Sequence, residues 1–157
     1  MQTGQISLER NRNLLGGAAP FYRTYLCADG KEIAVGALKP KFFCALVGEL
    51  GLPELADRQH DQNAWDDITT QFRSTIQQKS RDEWAKQFDG TDCCVTPVLH
   101  HAEVPHHPHM QSRGLEGNSI GVTDMRPVPQ LSNHDSYDAE VSVARDADTM
   151  LAQWKIG

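Results

Sequence analysis

The chain is 157 residues long, about one ordinary domain, and 21 Asp and Glu against 15 Lys and Arg leave a formal charge of −6. That balance argues against a free-standing binder of nucleic acid or anionic membrane. The 39% apolar and 23% charged residues exclude collagen-like and disordered compositions, and no apolar run approaches the roughly 18 residues of a spanning helix.

Residues 1–19 read as a polar linker that ends in a Gly-containing loop, Leu14-Leu15-Gly16-Gly17-Ala18-Ala19. The N-terminus lacks the basic and apolar regions of a secretory signal. A hairpin is predicted next: Phe21 to Cys27 and Ile33 to Ala37 flank Asp29-Gly30, a pair that suits a tight primed turn with both central φ angles positive. Ile33, Val35 and Ala37 share one face at period two. Pro40 suits the first position of a helix with Phe43, Leu46, Val47 and Leu50 on its apolar stripe, and Gly51 with Pro53 stops it.

Asn63 is the expected N-cap of a second helix burying Trp65, Ile68, Phe72 and Ile76. Ser80 and Glu83 have capping-box spacing and open a third helix carrying Trp84 and Phe88, stopped at Asp89-Gly90. Cys93 to Thr96 reads as a short buried strand that Pro97 ends or places at an edge. From Gly114 to Arg145 no helix or strand period is visible, and a short helix closes the chain. The expectation is an α+β fold: a small sheet with a hairpin and about three helices, then an extended tail ending in a helix.

Several separated segments carry a resemblance. They are Asn13-Leu14-Leu15-Gly16-Gly17-Ala18-Ala19-Pro20-Phe21-Tyr22, then Tyr25 through Asp29-Gly30, then Val35-Gly36-Ala37-Leu38-Lys39-Pro40-Lys41-Phe42-Phe43. Gly51-Leu52-Pro53, Asp82-Glu83-Trp84, and Asp92-Cys93-Cys94-Val95-Thr96-Pro97-Val98-Leu99 with Glu103 and Pro108-His109 follow in order. Over residues 13–113 the chain resembles the α-methylacyl-CoA racemases within the family III CoA-transferases. Asp148-Thr149 to Trp154 is similar to the family's closing segment.

The resemblance implies a small α+β domain over residues 20–113 and a returning tail over 114–157. Family members are more than twice as long and bind the CoA nucleotide in a large Rossmann-like domain that also holds the catalytic His and Asp. Two of their protomers interlock. The implied function is part of a CoA-thioester-processing enzyme that exchanges the α-proton of 2-methylacyl-CoA. The alternatives are a CoA-transferase or a non-catalytic interaction module that keeps the fold. The implied partners are acyl-CoA and either a second copy or a complementary N-terminal domain, with no tightly bound cofactor, no nucleic acid and no membrane. This chain alone is expected to be inactive.

Read from the residues alone, Gly16-Gly17-Ala18-Ala19 is a linker into the hairpin. By resemblance it is a substrate-side loop, so Gly16, Gly17 and Ala18 are the substrate-binding candidates. Lys39 occupies the place of a family Glu that assists the base exchanging the α-proton. A lysine, with an ordinary pKa of about 10.4, does not reproduce a carboxylate; read alone, Lys39 is an exposed residue at a helix start.

Histidines 100, 101, 106, 107 and 109 surround Glu103, but the spacing matches no zinc pattern, so a solvated loop is expected and no metal ligand is assigned. Cys27, Cys44, Cys93 and Cys94 fit no disulfide framework; reduced thiols in a soluble protein of the cytoplasm or an organelle matrix are expected. Arg12, Arg23, Lys39 and Lys41 are scattered cations that form no phosphate-binding motif.

Overall fold

The computed structural model describes residues 8–9, 12–112, 116–119 and 122–125. The described chain divides into two compact units, residues 1–98 and 99–157. The first contains a three-stranded antiparallel sheet in the order β1-β2-β3, with β1 at Tyr22–Leu26, β2 at Glu32–Gly36 and β3 at Val95–Pro97. Three helices accompany it: α1 (Pro40–Glu49), α2 (Trp65–Ile76) and α3 (Arg81–Phe88). The α+β expectation is correct, and no helix among the described residues is long and apolar enough to cross a membrane.

The hairpin pairs Tyr22 with Gly36 and Leu26 with Glu32. Its turn differs from the expected primed turn. Only Gly30 has a positive φ, at 77°, while Asp29 does not. Gly30 N–H donates to the Cys27 carbonyl at 3.1 Å and Cys27 N–H to the Lys31 carbonyl at 2.8 Å, so the loop is longer by one residue and Gly30 alone absorbs the reversal. The Asp29 carboxylate is thereby released to accept from Lys31 N–H and from the first turn of α3.

Strand alternation separates the two faces of the sheet. Phe21, Tyr25, Ile33, Val35 and Ala37 enter the core, while Tyr22, Thr24, Ala34, Gly36 and Thr96 lie on the outer face. Against the inner face pack Phe43, Leu46 and Val47 of α1 and Ile68, Phe72 and Ile76 of α2, together with Trp84 and Phe88 of α3. Phe21 meets Phe43 edge-on with centroids 5.6 Å apart, and Trp84 stacks on Phe88 at 5.4 Å.

The ends of the helices follow from local chemistry. Pro40 opens α1, and Leu52 N–H to the Val47 carbonyl (2.8 Å) with Gly51 N–H to the Gly48 carbonyl (3.0 Å) closes it as a Schellman motif. The cap of the α2 region is Asp61, not Asn63: its carboxylate accepts Asn63 N–H, and a single 3₁₀ turn at Gln62–Ala64 leads into the helix. The Ser80–Glu83 capping box forms as expected, with Ser80 N–H donating to Glu83 at 2.8 Å.

The expected strand at Cys93–Thr96 is displaced. Cys93 is buried, but Cys94 has a φ of 53° and is exposed, so the chain turns at Cys94 and β3 begins at Val95. Pro97 is the last residue of this edge strand, where its missing N–H costs nothing.

In the second unit, Val104–His106 forms a 3₁₀ turn and Pro108–Ser112 a short helix, α4. Both lie where a plain loop was expected: each begins on or beside a proline that favours a first helical position. Glu116–Ser119 (β4) pairs antiparallel with Val122–Met125 (β5), a hairpin inside the segment that shows no strand period in sequence. The closing helix expected near residues 148–154 lies outside the described residues.

Candidate functional site

The Gly-containing loop closes on itself. The Asn13 carbonyl accepts Gly16 N–H at 2.9 Å and Ala18 N–H at 3.2 Å, and Leu14–Gly16 forms a 3₁₀ turn ended by Gly17. Gly17 has a φ of 98°, yet a Cβ there would meet nothing within 4 Å. Glycine is needed for the backbone angle, and the space it faces is open. Beyond the loop, Ala19 and Pro20 are buried, and the Tyr25 hydroxyl donates to the Pro20 carbonyl at 2.6 Å. The loop is therefore anchored at its C-terminal end to the core.

Between this loop and the outer face of the sheet lies a groove of about 580 Å³. Gly16, Gly17 and Leu15 form one wall, and Tyr22, Thr24, Ala34, Gly36 and Thr96 form the floor, with Arg23 and Val35 also bordering it and Cys94 at the margin. Gly36 N–H donates to the Cys94 carbonyl at 2.9 Å, which fixes that margin to β2. The size falls within the usual range for small-molecule sites. The lining offers hydroxyls, small residues and one cationic residue, Arg23, but no carboxylate or imidazole, so it supplies no carboxylate or imidazole base of its own.

The sequence candidates separate here. Gly16 and Gly17 line the groove; Ala18, half-buried, follows them without lining it. Lys39 is the exposed N-cap of α1, with its Nζ 5.9 Å from the Phe42 ring, and is not among the lining residues. The link before Lys39 is held by a residue that sequence reading overlooked: Gln59, 2% exposed, whose Nε2 donates to the Ala37 and Leu38 carbonyls, each at 3.1 Å. Gln59 sits in a 3₁₀ connection with no periodic pattern, so its burial left no trace in the sequence.

The histidine loop makes local contacts. The His100 and His101 ring centroids lie 4.0 Å apart with the planes tilted by 45°, Glu103 accepts His100 N–H at 2.9 Å, and His107 Nδ1 accepts His109 N–H at 3.3 Å. Burial pushes the Cys27 thiol up to about 11, with Asp29 adding to the effect, and burial likewise raises Cys93. Neither is placed to act as a thiolate near neutral pH.

A sequence profile described as CoA-transferase family III matches residues 1–146. Human "Alpha-methylacyl-CoA racemase" is 42% identical over 138 residues, covering 84% of this chain and 36% of the human protein. The mouse protein of the same name is 41% identical, over 78% of this chain and 33% of its own length. "CaiB/baiF CoA-transferase family protein ZK892.4" of Caenorhabditis elegans is 44% identical, over 80% of this chain and 36% of its own length. The chain thus spans about a third of the length of these relatives. In the crystal structure of Rv3272 from Mycobacterium tuberculosis, 38% of that chain superposes on 81% of this one with a TM-score of 0.61 at 18% identity, a likeness of fold. By the extent of the profile match, the chain belongs to CoA-transferase family III.

Proposed function

We propose that the chain is the small-domain portion of a CoA-thioester-processing enzyme of the α-methylacyl-CoA racemase kind. In this reading acyl-CoA is the substrate and a complementary CoA-binding domain, or a second copy, completes the site. The observation that carries the reading is the 42% identity to the human racemase over 84% of this chain. Gly16, Gly17 and Ala18 serve as the substrate-side loop, with the acyl or pantetheine portion of the thioester lying in the adjoining groove.

α-Proton exchange requires a base near each face of the α-carbon and donors at the developing enolate oxygen, each worth orders of magnitude in rate. The groove walls carry no carboxylate or imidazole, so the bases come from the complementary domain. Lys39, standing where the family has a Glu, adds a cation instead of an accessory carboxylate. The C. elegans relative, named as a CoA-transferase family protein, favours CoA transfer to a free acid as the second reading.

The test is exchange of the α-hydrogen of 2-methylacyl-CoA in deuterium oxide. The isolated chain is expected to give none, and addition of a complementary domain is expected to give exchange that Lys39→Glu increases. Exchange by the isolated chain, abolished by substituting one of its own residues, overturns the reading. Transfer of CoA to an added carboxylic acid without α-exchange supports the second one.

A further inference from the structure

Three residues of the groove floor stand in one row across the sheet. Thr24 of β1 pairs with Ala34 of β2, and Ala34 pairs with Thr96 of β3. All three line the groove, and both threonines are exposed. Neighbouring strands lie about 4.8 Å apart, so the threonines flank the small Ala34 side chain at a separation of about 10 Å. The row is a methyl floor between two hydroxyls.

The two hydroxyls are not equivalent. Thr24 Oγ1 donates to Glu32 Oε1 at 3.0 Å. Glu32 follows the hairpin turn, opposite Leu26, and is not among the lining residues. An ionised carboxylate only accepts, so it holds the Thr24 proton and leaves that oxygen with lone pairs alone for a ligand. No such acceptor meets the Thr96 hydroxyl among the described residues, and its proton is available to a ligand.

We propose that this row binds a trans secondary amide of the pantetheine arm of acyl-CoA. Thr24 accepts the amide N–H, Thr96 donates to the amide carbonyl, and the amide plane crosses Ala34. A trans amide carries donor and acceptor on opposite edges, and with hydrogen bonds of about 2.9 Å it joins oxygens about 8 Å apart. The χ1 torsions of the two threonines take up the remaining difference. A reversed amide would set its carbonyl against the Thr24 lone pairs, so the row also fixes the direction in which the arm enters. The choice of pantetheine rests on the function proposed above, whereas the row itself rests on strand register and the Thr24–Glu32 bond.

Titration of the isotopically labelled 157-residue chain with pantetheine, followed by amide chemical shifts, tests the proposal. Saturable shifts at Thr24, Ala34 and Thr96 are expected. Thr24→Val and Thr96→Val, near-isosteric changes at exposed positions, should each weaken binding about fivefold, the loss of one hydrogen bond. Two ester analogues, each with oxygen in place of one amide N–H, probe the direction. One of them should bind the unmodified chain about fivefold more weakly than pantetheine does, and bind Thr24→Val as well as pantetheine does. Unaltered affinity in either threonine variant, equal binding of pantetheine and both esters, or no saturable shifts at the row overturns the inference. The deuterium-exchange assay judges the proposed function separately. Pantetheine shifts at the row without exchange in the presence of the complementary domain support the amide row and count against that function. Exchange whose KM is unchanged by Thr24→Val does the reverse.

Discussion

The Asp29 carboxylate at the hairpin tip accepts the backbone N–H of Arg81 at 3.3 Å, across 52 residues of sequence. It thus acts on the free N–H groups and positive end of α3 from outside the helix. Ala28 N–H donates to the Lys79 carbonyl at 2.9 Å beside it, and the Arg81 Nη1 donates to the Val98 carbonyl at 3.0 Å. Hairpin tip, helix start and the exit of β3 are fastened at one point. Asp29→Ala is expected to cost about 1 kcal/mol, and Asp29→Asn less, because the amide oxygen still accepts. Urea unfolding midpoints measure both, and an unchanged midpoint for the alanine variant would remove the proposed role.

Glu83 supplies the pH-dependent part of the same helix start. Its side-chain and backbone hydrogen bonds from Ser80 hold its carboxyl below the ordinary range, while Asp29 nearby opposes them. A folded-state pKa below the unfolded value of about 4.3 gives stability that is present above that value and lost as pH falls through the folded one. Glu83→Gln should therefore flatten the acid limb of the stability curve below about pH 4.3. An acid limb identical to that of the unmodified chain would show that the capping box does not couple to folding.

Thiol accessibility reports on the turn at Cys94. Cys44 and Cys94 are exposed, whereas Cys27 and Cys93 are buried. Native protein treated with a disulfide reagent near neutral pH should release two equivalents rapidly, from Cys44 and Cys94, and the other two only on unfolding. Mass spectrometry of the labelled peptides locates them. Rapid labelling of Cys93 would contradict the described turn.

Gln59 locks the entrance to α1, and Gln59→Ala removes both of its bonds to the Ala37 and Leu38 carbonyls. The expected cost is about 1–3 kcal/mol, the penalty for buried groups left without partners. Hydrogen exchange should quicken at Phe42 and Phe43, whose N–H groups bond the Lys39 carbonyl at the start of the helix. A loss of stability with no change in those amides would place the role of Gln59 elsewhere.

The parts of the fold legible in sequence are those with a strong period or a local cap. Phe43, Leu46 and Val47, Ile68, Phe72 and Ile76, and the Ser80–Glu83 box all sit as their spacing requires. The misread parts are short and decided by tertiary contact. Asp29 serves a distant helix, which a local turn preference does not encode, and Cys94 takes a backbone angle that residue type alone does not announce. Gly16 and Gly17 could be singled out through family likeness. The groove they border could not, because its floor comes from alternate residues on three strands whose register is visible only after folding.

Acetyl-CoA titration of the isotopically labelled chain tests the central claim most directly. The account predicts that shifted amides cluster at Gly16, Gly17, Thr24, Ala34, Gly36 and Thr96, around the groove, and that Gly17→Val suppresses them by straining a φ of 98°. Shifts confined to surfaces away from these residues, or none in the presence of a complementary CoA-binding domain, would contradict it.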